Sequence, residues 1–414
     1  MPLDIHTLSV IIFIIIVAIV LLRDRKKVKR ESIVFFRRTQ RGKALLTRTG
    51  ENHPVFWKAV GNVAVITGFA GSVFMLFVLT ILAINNIVQP VAQPGLALVL
   101  PSLGTSALVG TGYIGVPFWF WIAAISILMV VHEGLHGIMA ARERVRIKSL
   151  GLVLLAFIPG AFVEPDEKQM KRKPVMARLR IFASGSFANF CVGAVAGMLI
   201  LLFTGILSIP FLGNFPDYTG GMLYDVSPAG VGYGLAEGYP ASGANFTGMI
   251  TAVNGMQVKT AEDVGRVLGN VTPGTVAIFS STKGNYTLAA QADSKNPERG
   301  LFGFSRLFTL HSYELREEYK GMEPLIAVFV GTYPFGFGGW KDIQSGGLLF
   351  WIYLINVGVG LFNLLPIKAL DGGLMWQAVL EKLSRPHAKR IMNIITAFIL
   401  IVIFANFAGA FGLV

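Results

Sequence analysis

The sequence predicts a polytopic α-helical membrane protein, with about six membrane helices and one small α+β domain inserted among them. Three observations carry that reading. Hydrophobic residues make up 53% of the 414, charged residues only 14%, and mean hydropathy is +0.62, which excludes an ordinary soluble enzyme. The formal charge of +13 gathers in short stretches beside apolar runs, where lysine and arginine orient membrane helices. The expected surroundings are therefore a lipid bilayer, and no nucleic-acid partner is expected. Finally, the chain turns polar and Gly-rich between about Phe211 and Arg306, as an inserted soluble domain would.

In order, Ser9 to Leu22 is apolar and is followed at once by Arg23, Arg25, Lys26, Lys27, Lys29 and Arg30. A signal peptide carries its charges before the apolar core, so residues 1–31 read as an uncleaved anchor with its amino terminus outside. Residues 32–56 then read as a basic cytoplasmic segment. Val63 to Ile87 is the second span, and its glycines and Ser72 suit close helix packing. Gln89 to Gly115, broken by Pro90, Pro94 and Pro101, reads as an outside loop or a re-entrant segment. The third span, Val116 to Val131, runs inward, since Arg142, Arg144, Arg146 and Lys148 follow. Leu150 to Val163 is apolar but interrupted by Gly151, Pro159 and Gly160. It reads as an extended hairpin or loop dipping into the membrane, tolerated where protein or a water cavity satisfies its backbone. Ile181 to Ile209 is the fourth span and completes a membrane core over 57–210. Its small residues Ala183, Ser184, Gly185 and Ser186 suit close helix packing, and the amide of Asn189 needs partners at that depth.

Residues 211–306 alternate short apolar stretches with turns, among them Asn254-Gly255 and Pro273-Gly274, and Ala261 to Leu268 reads as a short helix. The domain follows an outward helix and is expected outside. Its Asn-x-Ser/Thr sequences at Asn245, Asn270 and Asn285 agree with that side. Residues 307–414 return to the membrane. His311 to Lys320 is charged, Pro324 to Trp340 reads as interfacial or re-entrant, Gly347 to Leu365 descends, Glu381 to Arg390 is cytoplasmic, and Ile391 to Val414 is the last span. The single cysteine, Cys191, reads as a small buried hydrophobe.

Chemistry concentrates at His132-Glu133-Gly134-Leu135-His136, closing the third span. Two histidines four apart lie on one helix face, where two neutral imidazoles can grip one divalent ion. Three ionisable groups at membrane depth cost roughly 2 to 3 kcal/mol or more each unless a function repays them. Zinc held by three protein groups keeps a fourth position for water, and a neighbouring carboxylate such as Glu133 can take its proton, the requirement of peptide hydrolysis. A three-histidine motif would need histidine six residues after His136, where Arg142 stands. The third ligand is a carboxylate: Asp371, at the end of another inward run, with Glu164 as its rival. Gly372-Gly373 would let the backbone approach the ion.

Here the chain resembles the site-2 proteases, intramembrane zinc metalloproteases. The likeness rests on His132-Glu133-x-x-His136 and on Asn363-x-x-Pro366-x-x-x-Leu370-Asp371-Gly372-Gly373, and extends to Phe157 to Glu167 and Ala183 to Asn189. The outside domain is similar to a PDZ domain at Tyr239 to Ala244, Ile250 to Gly255 and Pro273-Gly274. The resemblance implies one zinc ion held by His132, His136 and Asp371, with Glu133 as general base. It also implies an Asn363 amide that meets the substrate carbonyl or oxyanion, and Asn189 is a second candidate for that site; the competing reading of both amides is that they hold helices together. Two departures stand out, Ser186 and Ala369, where relatives commonly carry proline. The implied activity is endopeptidase cleavage of membrane proteins in a multi-pass cell-membrane protein, near the cytoplasmic face. The implied substrate is a single-span helix already shortened outside. The competing reading is a non-proteolytic protein that binds membrane clients through the PDZ-like domain.

Overall fold

The computed structural model describes residues 5–23, 28–31, 34–88, 96–104, 107–110, 112–155, 158–209, 213–216, 221–331 and 346–408. The chain forms two compact units: Met1–Leu202 with Leu207–Phe215 and Gly321–Val414, and Phe203–Ile206 with Pro216–Lys320.

The first unit is helical. Among the described residues, four helices are long and apolar enough to cross a membrane: Pro54–Val88, Phe118–Arg142, Val175–Thr204 and Ala388–Phe407. Two shorter apolar helices, Thr7–Ile19 and Leu348–Asn363, fall on the remaining expected spans. The 35 residues of Pro54–Val88 measure about 52 Å at 1.5 Å each, more than a hydrocarbon core of about 30 Å. On Phe118–Arg142 the buried residues Phe118, Trp121, Ala124, Leu128 and His132 recur every three or four positions, so this helix turns one stripe inward.

Leu150 to Val163 falls in an antiparallel hairpin of strands Ile147–Leu155 and Ile158–Pro165; Phe157 lies outside the described residues. The basic amino-terminal stretch holds more order than its charges suggest. Val28–Glu31 and Val34–Thr39 pair with each other, and the second pairs with Ile147–Leu155, so four strands make one sheet. Between Pro54–Val88 and Phe118–Arg142, Leu98–Ser102 runs parallel to Tyr113–Pro117, which pairs antiparallel with Leu108–Gly110. Glu323–Phe329 is a short helix, and residues 332–345, in the stretch expected to be interfacial, lie outside the described residues.

One expectation is corrected here. Asp371 does not end a helix; it begins one. Leu348–Asn363 stops three residues before Pro366, which has no N–H to donate and disfavours helical backbone at Leu365. The chain turns through 364–370 and starts the helix Asp371–Leu383 with the aspartate in its first turn, where a carboxylate suits the helix dipole. The two glycines serve this turn: a Cβ at Gly372 would run into Leu364 O, and one at Gly373 into Ile367 O.

In the second unit the sheet order is Gly284–Ala289, Val276–Ser281, Ile250–Val253, Tyr224–Leu235 and Phe304–Leu315, with Met256–Gln257 pairing on Ile250–Val253. The helix Ala261–Leu268 covers a core of Val231, Phe246, Ile250, Val253, Val264 and Phe279. Asn254 (φ 50°) and Gly255 (φ 78°) make the hairpin turn, the left-handed pair that a two-residue connection demands. Because Phe304–Leu315 pairs with Tyr224–Leu235 over their length, the unit runs to Lys320, beyond the boundary expected at residue 306.

Candidate metal centre

Three side chains converge from two distant stretches. His132 Nε2 and His136 Nε2 are 3.2 Å apart, and Asp371 Oδ2 lies 3.2 Å from the first and 3.1 Å from the second. Among the described residues, these three form the one His/Cys/Asp/Glu group whose ligand atoms could hold an ion together. The triangle fits zinc: with bonds of 2.0–2.1 Å to a tetrahedral ion, neighbouring donors stand roughly 3.3 Å apart. Two imidazoles and one carboxylate are also a donor set used by sites that keep a fourth position open. Glu164, the rival third ligand, is engaged elsewhere, accepting from Ser149 Oγ at 2.7 Å with Arg38 Nε 3.7 Å away.

The imidazoles are held from behind. His136 Nδ1 donates to Ile181 O at 2.6 Å, and Ser184 Oγ, which donates to the same carbonyl, is 3.3 Å from that nitrogen. With its proton on Nδ1, His136 turns a lone pair on Nε2 toward the centre. Asn189 can do the same for His132. Its side chain is fully buried, its Nδ2 stands 3.0 Å from His132 Nδ1, and its Oδ1 meets no partner, so turning the amide over puts the oxygen against the imidazole. A carbonyl oxygen is the end that belongs against His132, because an N–H there would force the imidazole proton onto Nε2, where a metal ligand cannot carry it.

Asn363 stands on the other side. Its Nδ2 donates to Asp371 Oδ2 at 2.9 Å and lies 3.3 Å from His132 Nε2. The sequence reading left each amide between helix packing and a substrate role; both stand against the candidate ligands, Asn189 beside His132 and Asn363 beside Asp371. Glu133, next to His132 in the chain, accepts at Oε2 from the backbone N–H of Val163 at 2.9 Å, which ties the carboxylate to the hairpin.

Gly185 was read as a helix-packing residue, and its position is more specific. A Cβ there would collide with His136 Nε2 and lie 2.6 Å from His132 Nε2. The helix Val175–Thr204 therefore presents bare backbone to the ligand pair, a cradle that only glycine leaves open. Nothing local in Ala183-Ser184-Gly185-Ser186 distinguishes this glycine from one that merely packs helices.

Comparison with known proteins adds the following. The family described as Peptidase family M50 matches residues 120–405. An uncharacterized protein of Methanocaldococcus jannaschii is 26% identical over 279 residues, covering 66% of this chain and 61% of that protein. A provisionally named zinc metalloprotease of Nostoc sp. (strain PCC 7120) is 23% identical over 331 residues, covering 66% of this chain and 88% of that protein. The chain thus spans about three fifths of the length of the first of these relatives.

Proposed function

This chain belongs to peptidase family M50, the site-2 proteases, and from that premise we propose that it is a zinc-dependent endopeptidase cutting transmembrane segments of membrane proteins near the cytoplasmic face. The observation that carries the reading is the triangle of His132, His136 and Asp371 with Glu133 beside it on the same helix. Zinc in that triangle would supply Lewis acidity, polarising a scissile carbonyl and lowering the pKa of a water in the fourth position to roughly 7.

The chain's own groups do the rest. Glu133, steadied at Oε2 by the Val163 N–H, takes a proton on Oε1 and returns it to the leaving amine. Ile181 O and Asn189 hold the imidazole protons on the nitrogens facing away from the centre. Asn363 fixes one oxygen of Asp371 and, with its second N–H, can reach a substrate oxygen developing negative charge.

Helical peptide bonds are shielded by their own hydrogen bonds, so a substrate helix must unwind before it is cut. Ile158–Pro165 is a terminal strand of the four-stranded sheet, and its edge carries the Val163 N–H that meets Glu133. An unwound segment adding to that edge would be delivered beside the carboxylate. The basic stretches that follow the histidine helix and flank Asp371–Leu383 support a site toward the cytoplasm, with Pro216–Lys320 outside, a PDZ-like domain that screens or selects substrates already shortened there.

The test is Glu133→Gln. It is expected to abolish cleavage of a synthetic single-span helical peptide while zinc, measured by elemental analysis, stays bound; continued cleavage would remove Glu133 from the mechanism.

A further inference from the structure

The amino-terminal strand Val34–Thr39 lies outside the residues matched by the family, 120–405, and the chemistry above makes no use of it. It nevertheless runs antiparallel along the back edge of the hairpin, from Val34 opposite Leu155 to Thr39 opposite Leu150. The approach is close enough that a Cβ at Gly151 would collide with Arg37 O. Gln40 Nε2 continues the junction by donating to Lys148 O at 3.2 Å.

Arg38 is the side chain that joins all three strands. Its guanidinium stands 5.6 Å from the ring centre of Phe36 on its own strand and 5.9 Å from that of Phe162 on the far strand of the hairpin. Those two rings meet edge to face at 5.7 Å. Its Nε is 3.7 Å from Glu164 Oε2, which also accepts from Ser149 on the middle strand. Glu164 follows Val163, the residue whose N–H meets Glu133. Arg38 thus grips the hairpin one residue from its contact with the base.

Capping the rear edge also settles where a peptide can add. The sheet's other open edge moves two strands away, to Val28–Glu31, so only Ile158–Pro165 offers an extended segment a partner beside Glu133 among the described strands.

We propose that Val34–Thr39 is a positioning element for substrate and Arg38 its positioning residue: together they fix the hairpin so that Val163 reaches Glu133 and Ile158–Pro165 is held in place as the strand that an extended substrate segment meets. This rests on the protease reading above, and the experiment separates the two.

Full-length protein in lipid bilayers is compared as wild type, Arg38→Ala, Gly151→Ala, and the charge exchange Arg38→Glu with Glu164→Arg. Amide hydrogen exchange over 158–165, zinc content and cleavage of a synthetic single-span helical peptide are measured. Arg38→Ala is expected to lower kcat/KM about three- to tenfold, chiefly through KM, the scale of an exposed ion pair plus a cation–π contact. Exchange over 158–165 should quicken while zinc content holds. Gly151→Ala, whose methyl would run into both Arg37 O and the Phe162 ring, should likewise quicken exchange over the hairpin, and the charge exchange should recover part of the loss. Wild-type KM and exchange in Arg38→Ala and Gly151→Ala would overturn the proposal, as would exchange raised evenly over all helices. Quickened exchange confined to the hairpin, with a wild type that cuts nothing, would uphold the clamp and sink the protease reading instead.

Discussion

His136 Nε2 and Asp371 Oδ2 lie 3.1 Å apart across 235 positions of sequence. A helix places His136 over His132 by local geometry alone, whereas Asp371 arrives only because Pro366 ends one helix and two glycines let the next begin close against it. The metal centre therefore reports on the fold as much as on chemistry.

Removing the long-range ligand should consequently empty the site. Asp371→Ala is expected to weaken zinc binding by more than the roughly 10- to 100-fold that follows loss of an outer-shell partner, and to abolish hydrolysis. Competition with a graded series of zinc chelators measures this; unchanged affinity would take Asp371 out of the ligand set.

Asn189 is expected to act through His132. Asn189→Leu, which removes the acceptor for Nδ1–H, should weaken zinc binding roughly 10- to 100-fold. Asn189→Asp keeps an oxygen at that place and should bind zinc far better than the leucine variant. Equal affinities in the two variants would show that the amide only fills space.

Gly185 and Gly134 give a paired steric test on the two sides of the ligands. Gly185→Ala puts a methyl group into the imidazoles, and overpacking of this kind costs about 1 to 3 kcal/mol, here spent on displacing the ligands themselves. Zinc binding should fall sharply. A Cβ at Gly134 would meet nothing within 4 Å, so Gly134→Ala should bind zinc as the wild type does. Elemental analysis of the two purified variants decides the matter.

The second unit should show an acid-sensitive helix start. Asp263 Oδ2 accepts from Lys259 N at 3.1 Å and from Thr260 N at 3.0 Å, while Thr260 Oγ1 accepts from Asp263 N at 3.2 Å. The backbone N–H groups of Lys259 and Thr260 hold the Asp263 carboxyl below its usual range. A pKa lower in the folded state than in the unfolded state means that the contribution is present at neutral pH and is lost as pH falls through the folded value. Thr260→Ala is expected to cost about 1 kcal/mol of local stability. Asp263→Asn should flatten the acid dependence of amide exchange over 261–268, followed from about pH 7 to about pH 3.

Reading the chain alone went furthest where the controlling contacts are near neighbours. The apolar runs read as spans, the His132/His136 pair and the helix Ala261–Leu268 are all written within a few turns of chain, and a helix is found at each. The Leu150 to Val163 hairpin was legible for the same reason: glycine and proline forbid the alternative within the segment itself. Val34–Thr39 was missed because Arg37 and Arg38 make it look like solvated chain, and only the partner strand Ile147–Leu155 turns it into sheet. Gly185 was seen but assigned to generic packing, since a glycine carries no mark of what stands opposite it.

By itself, then, the sequence determined which stretches are helical and apolar and that two histidines and a glutamate share one helix, because those features follow from periodicity and composition. Tertiary structure alone decided that Asp371 opens a helix instead of closing one, that Asn189 and Asn363 face ligands, and that an amino-terminal strand grips the hairpin. Each of those depends on which surfaces pack together across hundreds of residues, and residue order does not encode that distance in any local pattern.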